Sequence, residues 1–201
     1  MATRKPIVID KGMKAAQRAI RELDGWQATI GIHGEQAPRP GEMDNVRLGV
    51  IHEFGVRFMH PGGTPFMMAS QGGSSRSGGM VGSGSVIFLR KGDPRAIGVT
   101  RPHQIVIPER SFLRSTWDKN IKKYELYLVR LSRQVVDLKL TPQQAIGWLG
   151  ERVESDVVNA INRGIPPPIK PETARRKGST KPLIDLGASG LKGSIKSVVS
   201  K

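Results

Sequence analysis

The residues best equipped for chemistry in this chain are few, and their spacing is wrong for the reactions they suggest. His52-Glu53 opens like HExxH, in which two histidines one helical turn apart hold zinc and the glutamate activates water. The second histidine would stand at 56, which is Val56. His33, His52, His60 and His103 have neither the helical nor the hairpin spacing of paired metal ligands. Gly178-Ser179-Thr180-Lys181 has the residue types of a phosphate loop but lacks the preceding strand and glycine of that motif. Gly82-Ser83-Gly84 lies in a Gly/Ser tract where no strand enters and no helix leaves, so it is not a nucleophile elbow. Most carboxylates fall on expected helix surfaces, where i,i+4 pairing accounts for them. There is no cysteine, which excludes a thiol nucleophile, a thiolate zinc site, an iron–sulfur centre and a disulfide scaffold together. These features lead us to expect neither catalysis nor a cofactor or metal.

Charge is the more informative property. The 201 residues include 32 Lys and Arg against 17 Asp and Glu, a formal charge of +15. The excess is uneven: residues 57–110 carry seven basic and two acidic side chains, and residues 163–201 carry nine and two. Such a field attracts a polyanion or an acidic partner without reading sequence. No aromatic residue occurs from Val153 to Lys201, so base stacking is not expected there, and a nucleic-acid contact would be with the backbone of a duplex. No apolar run approaches the roughly 18 to 20 residues of a membrane-spanning helix. The N-terminus lacks the apolar core of a secretory signal. The length suits one sizeable core, so a single domain over 1–201 is expected.

The periodicities then place the elements. Asp10 is a candidate cap for a helix carrying Met13, Ala16, Ile20 and Leu23 on one face and ending at Gly25. Trp26, Ala28, Ile30 and Ile32 alternate as in a half-buried strand. Residues 46–54 favour a short helix. Residues 56–103 read as a long basic insertion. Its Ser70–Ser85 tract holds six Gly and six Ser and has a flexible-linker composition. Val86–Leu89 and Gln104–Ile107 read as two neighbouring strands of a hairpin. Leu113, Trp117, Ile121, Tyr124, Leu128, Leu131, Val135 and Leu138 predict a helix of about 28 residues. Thr141-Pro142-Gln143-Gln144 matches a capping box. A second helix follows, with Ile146, Leu149, Val153, Val157 and Ile161 on its apolar stripe and Gly164 as its terminator. The pair forms an antiparallel αα-hairpin. Residues 164–201 form an extended C-terminal arm. Pro166–Pro168 is read as polyproline, Glu172–Lys177 as one helical turn, and Pro182–Leu186 and Ile195–Val199 as short strands. The expected class is α+β: an N-terminal helix, a small antiparallel β-sheet, the helical hairpin and the basic C-terminal segment.

One ordered set of motifs is more specific. GVIHEFG at 49–55, HPGGTPFM at 60–67 and IVIPERSFLRSTWD at 105–118 precede the helix pair, and INRGIPPPIKPETARRKGSTKPLIDLGASGLKGSI follows at 161–195. The arrangement resembles the tail-completion or neck proteins of tailed bacteriophages, the group that includes the minor tail protein Z type. It departs from that pattern at Ser111, where proline is usual, at Leu186, where threonine is usual, and in the insertion Ala188-Ser189-Gly190.

The resemblance implies a structural virion protein at the junction of head connector and tail. It would act as a ring, commonly of six copies, around the channel for duplex DNA, and be assembled in the host cytoplasm. Implied partners are further copies of the chain, the connector or adaptor, and the tail terminator or tube. A tail terminator and a free basic nucleic-acid-binding protein are the alternatives. Glu53, Phe54, Arg110, Phe112, Pro182, Leu183 and Asp185 are expected either to hold core and caps or to meet a neighbouring subunit. Phe54 would plug the core, with Glu53 free to pair outside and Gly55 ending its helix. Ser111 would cap the long helix, and Arg110, against the helix dipole there, calls for a salt bridge. Asp185 suits an Asx-turn. Arg175, Arg176, Lys177 and Lys181, and secondarily Arg90, Lys91 and Arg95, are the candidates to face DNA or an acidic partner.

Overall fold

The computed structural model describes residues 12–34, 44–69, 73–74, 80–81, 86–184 and 190–201, with the side chains of Ser74, Met80, Val81 and Arg176 outside the description. The class is α+β, as the periodicities require. Where one domain is expected, the chain divides into two compact units built from distant segments. One takes residues up to Gly31, Thr116–Val157 and Ile195–Lys201; the other takes Ile32–Ser115 and Val158–Ser194.

In the first unit, helix α1 (Met13–Leu23) begins behind Gly12; Asp10, the expected cap, lies outside the described residues. Ala19 and Leu23 pack on Leu131, Val135 and Ala145, while Met13 and Ile20 of the expected stripe are exposed. Strand β1 (Gln27–Ile32) shows the alternation read from the sequence. It pairs with the last strand of the chain, β9 (Ile195–Ser200).

The first unit holds most of two long helices, α3 (Arg114–Val136) from Thr116 onward and α4 (Pro142–Arg163) as far as Val157. The expected capping box starts α4: Thr141 N–H donates to Gln144 Oε1 at 3.0 Å and Gln144 N–H to Thr141 Oγ1 at 3.2 Å. Ile146, Val153, Val157 and Ile161 are buried, as their spacing predicts. The hairpin is antiparallel, with Lys123 Nζ 2.8 Å from Asp156 Oδ2. Burial, with Asp156 close by, pushes the Tyr124 phenol up to about 12. Helix α3 is shorter than predicted. Leu138 adopts φ 58° and its N–H returns to Val135 O, while Lys139 N–H returns to Gln134 O, an ending usually given to glycine.

In the second unit, helix α2 (Asn45–Phe54) is capped by Asp44, which accepts from Arg47 N–H at 2.7 Å. Buried Asn45 donates to Ser194 Oγ at 2.6 Å, tying α2 to the 3-10 turn Leu191–Ser194. Two strands that the sequence left unrecognised follow: β2 (Val56–His60) and β3 (Pro65–Met68). They correct the expected pairing. Val86–Phe88 (β6) lies antiparallel to β3, whereas His103–Ile107 (β8) lies antiparallel to β2. Gly98–Val99 (β7) takes the other edge of β3. The Gly/Ser tract contributes a two-rung ladder, β4 (Gly73–Ser74) with β5 (Met80–Val81); its other residues lie outside the described ones. The insertion is therefore a series of nested ladders rather than one hairpin with a loose loop.

After Gly164 (φ 94°) the chain bends at 166–167 rather than running on as a continuous polyproline helix. Helix α5 (Pro171–Lys177) is longer than the single turn predicted. Pro182 and Leu183 form a turn, not a strand, with Leu183 at φ 64°; residues 185–189 lie outside the description. The strand Ile195–Ser200 (β9) was legible.

Candidate functional site

Helix α2 ends by aiming Glu53 at the start of α3. The first N–H groups of any helix lack internal acceptors, and here a carboxylate from a distant helix supplies them. Glu53 Oε2 accepts from Phe112 N–H at 2.8 Å and Leu113 N–H at 3.0 Å. Glu53 Oε1 accepts from Arg114 N–H at 2.9 Å, Ser111 Oγ at 2.7 Å and Arg114 Nε at 3.2 Å. Ser111 shares the cap, since its Oγ accepts from Ser115 N–H at 3.2 Å. Negative charge at the positive end of the helix adds a favourable dipole interaction. Burial alone would raise the Glu53 carboxyl, but the bonds from Leu113, Arg114, Ser111 and Phe112 outweigh it and hold it below its usual range.

Arg114 closes the arrangement. Its Nη2 donates to Glu53 O at 2.9 Å and to Glu109 Oε1 at 2.8 Å, and its guanidinium lies 4.5 Å over the Phe54 ring. Gly55 makes the return of the chain possible. It sits at φ 68° and ψ 166°, and a Cβ there would come within 2.8 Å of Glu109 N. The expected left-handed helical ending is thus replaced by an extended positive-φ conformation.

Arg110 ties in the third motif. Its backbone N–H donates to His52 O at 2.7 Å; its Nε donates to Pro167 O at 2.8 Å and Nη2 to Pro168 O at 3.3 Å. The expected salt bridge is replaced by carbonyls of the triple proline, which the guanidinium fork matches without a carboxylate among its described partners. Burial pushes this guanidinium down. HEFG, PERSFLR and PPP, separate in sequence, form one knot.

Most of the residues expected either to hold core and caps or to meet a subunit are enclosed within the chain. Glu53 is 5% exposed, Arg110 6% and Phe112 fully buried, and Pro182 and Leu183 are buried too. Side chains so enclosed have little surface to give a neighbour. Phe54, expected to plug the core, is 60% exposed under Arg114. Asp185 lies outside the described residues.

Several of the basic candidates are likewise engaged within the chain. Lys177 Nζ donates to Lys181 O at 2.9 Å, and Lys181 Nζ donates to Asn162 O at 2.9 Å, at the carbonyl end of α4 where a cation is favoured. Arg95 forms a two-pronged pair with Asp93, Nε to Oδ1 at 3.0 Å and Nη2 to Oδ2 at 2.7 Å, which draws the carboxyl down to about 2. Arg175, Arg90 and Lys91 are exposed.

His60 and His103, apparently unrelated in sequence, stand opposite each other on β2 and β8 with ring centroids 5.1 Å apart. One nitrogen of each ring is engaged: His60 Nδ1 accepts from Gly62 N–H at 3.0 Å, and His103 Nδ1 lies 2.8 Å from Arg101 O. Among the described residues no group of three or more His, Cys, Asp or Glu side chains could hold a metal ion, and no helix is long and apolar enough to cross a membrane.

Sequence reasoning missed Arg114 and Asn45 as organising residues. Neither carries a periodic signal, since Arg114 meets Glu53 and Asn45 meets Ser194 far along the chain. Compared with models of known protein families, with curated proteins and with solved structures, the chain matches none.

Proposed function

We propose that this chain is a structural subunit of the neck of a tailed bacteriophage particle, completing the tail end and joining it to the head connector as a ring around the DNA channel. The observation that carries this reading is the knot. Three of the four segments that resemble the neck family, those at 49–55, 105–118 and 161–195, bind one another through Glu53, Arg110 and Arg114. The resemblance therefore falls on one physical unit rather than on scattered words. Its chemistry is capping and clamping, which suits a rigid building block.

The surface supports the same reading. Leu126, Val129 and Val136 leave an apolar strip open on α3, and Leu126 is 71% exposed. Apolar side chains also stand out along the ladders. Monomers rarely leave so much apolar surface uncovered, and a ring subunit covers it with two different patches of its neighbours.

Sizing tests the proposal. The purified chain is expected to run as a small species alone and to form rings when mixed with the connector and tail proteins of its particle. Electron microscopy should place it between portal and tube. Location elsewhere in the particle would overturn the reading. Tight duplex binding by the monomer at physiological salt would favour the free nucleic-acid-binding alternative.

A further inference from the structure

Among the described residues, the three-stranded sheet β6-β3-β7 carries exposed apolar side chains on one face. Phe66 stands opposite both Phe88 and Gly98, and Met68 stands opposite Val86. Directly paired residues, and every second residue along a strand, share a side, so Phe66, Met68, Val86 and Phe88 belong to one face. Phe88 is 51% exposed and Met68 49%, with Val86 exposed beside them. Gly98 adds no side chain to this face, where a Cβ would meet the Phe66 ring at 3.3 Å. On the other face Pro65, Met67 and Ile87 are half-buried, and Val99, opposite Pro65, is exposed at the edge.

The stretch of chain that builds this face is strongly basic. Arg90 and Lys91 follow β6 almost directly and are exposed, as are Arg57 and Arg101 on the β2–β8 ladder and its approach. Between residues 57 and 110 the acids are Asp93 and Glu109. Arg95 occupies the first and Arg114 the second. The face therefore has an apolar centre with the exposed cations Arg90 and Lys91 beside β6, and the two acids of residues 57–110 are already paired.

We propose that this face is a docking site for an acidic protein segment that presents an apolar ridge, such as an amphipathic helix flanked by Glu and Asp. An apolar centre inside a charged rim is the anatomy of a protein–protein contact. Duplex DNA would meet the cations but gain nothing from Phe66, Met68 and Phe88. A second copy would bring its own excess of +15 against the same cations. The inference does not depend on the neck reading, since an acidic partner outside any virion would satisfy it.

The test uses the full chain and a labelled synthetic helix of about 20 residues, with Leu at i, i+3, i+4 and i+7 and Glu elsewhere. Fluorescence anisotropy should show saturable, salt-sensitive binding. Phe88→Ala should weaken it by about tenfold, the loss of one well-buried aromatic anchor, while Phe88→Leu retains most of it. Arg90→Ala with Lys91→Ala should weaken it several-fold and flatten its salt dependence. Thermal melting of each variant controls for folding. Absence of peptide binding, or binding indifferent to Phe88, would overturn the proposal. So would displacement of the peptide by duplex DNA with no effect of Phe88→Ala, or a Phe88-dependent dimer formed by the chain alone.

Discussion

Glu53 takes five donors into one carboxylate, and the energetic consequence is specific. Glu53→Gln keeps the shape but turns an NH2 group toward N–H donors, leaving part of the α3 cap unmet. The expected cost is about 3 kcal/mol, read as a lower urea midpoint with an unchanged slope. The pH dependence follows from the same bonds. The folded carboxyl lies below its unfolded value, so its stabilisation is complete above about pH 4.3 and is lost as the pH falls through the folded value. Melting curves of the native chain should therefore fall more steeply in acid than those of Glu53→Gln. A parallel fall would show that the charge contributes nothing. The motif around Glu53 was visible in the sequence; its role was not. Its donors stand 58 to 61 positions away, and no local pattern announces a helix capped from that distance. Arg110 was legible as misplaced against a dipole, but carbonyls of a proline run leave no charge pattern to read.

At the scale of elements, α4 and the burial of its stripe followed from periodicity and the capping box, because each signal is local to a few residues. The strands did not follow. Val56–His60 and Pro65–Met68 are short, and their partners lie beyond the Gly/Ser tract, so neighbours in sequence suggested a pairing that the registers exclude. The length of α3 was overestimated because an apolar stripe continues to Leu138 while the backbone has already turned left-handed. That ending offers a test. Leu138 is exposed, and glycine carries no penalty in its conformation, so Leu138→Gly should stabilise the first unit by about 1 kcal/mol. A calorimetric melt that moves down instead would mean that the side chain matters more than the backbone. Gly150 works in the opposite sense. A Cβ there would overlap Ser197 and stand 3.1 Å from Ala28 Cβ, so the bare backbone lets β1 and β9 lie against α4. In the sequence this position reads only as a flaw in a helix.

For the whole molecule, the formal charge of +15 is the dominant long-range force. Raising the ionic strength to physiological shortens the screening length to about 8 Å. Self-repulsion then weakens more than the buried bonds around Glu53, and the melting temperature is expected to rise by a few degrees in a thermal scan. A fall would mean that surface ion pairs outweigh the repulsion. The fold class was legible at this scale because helices dominate it, whereas the division into two discontinuous units was not, since no composition signal was read at any of its four boundaries. The clamp between Glu53 and residues 111–114 holds the two ends of everything that leaves at Val56 and returns at Ile107. Doubling the chain so enclosed costs only about 0.6 kcal/mol of closure entropy. The ladders are thus a replaceable cassette: mutation can lengthen, trim or exchange the outward reach of the molecule while its anchorage stays the same.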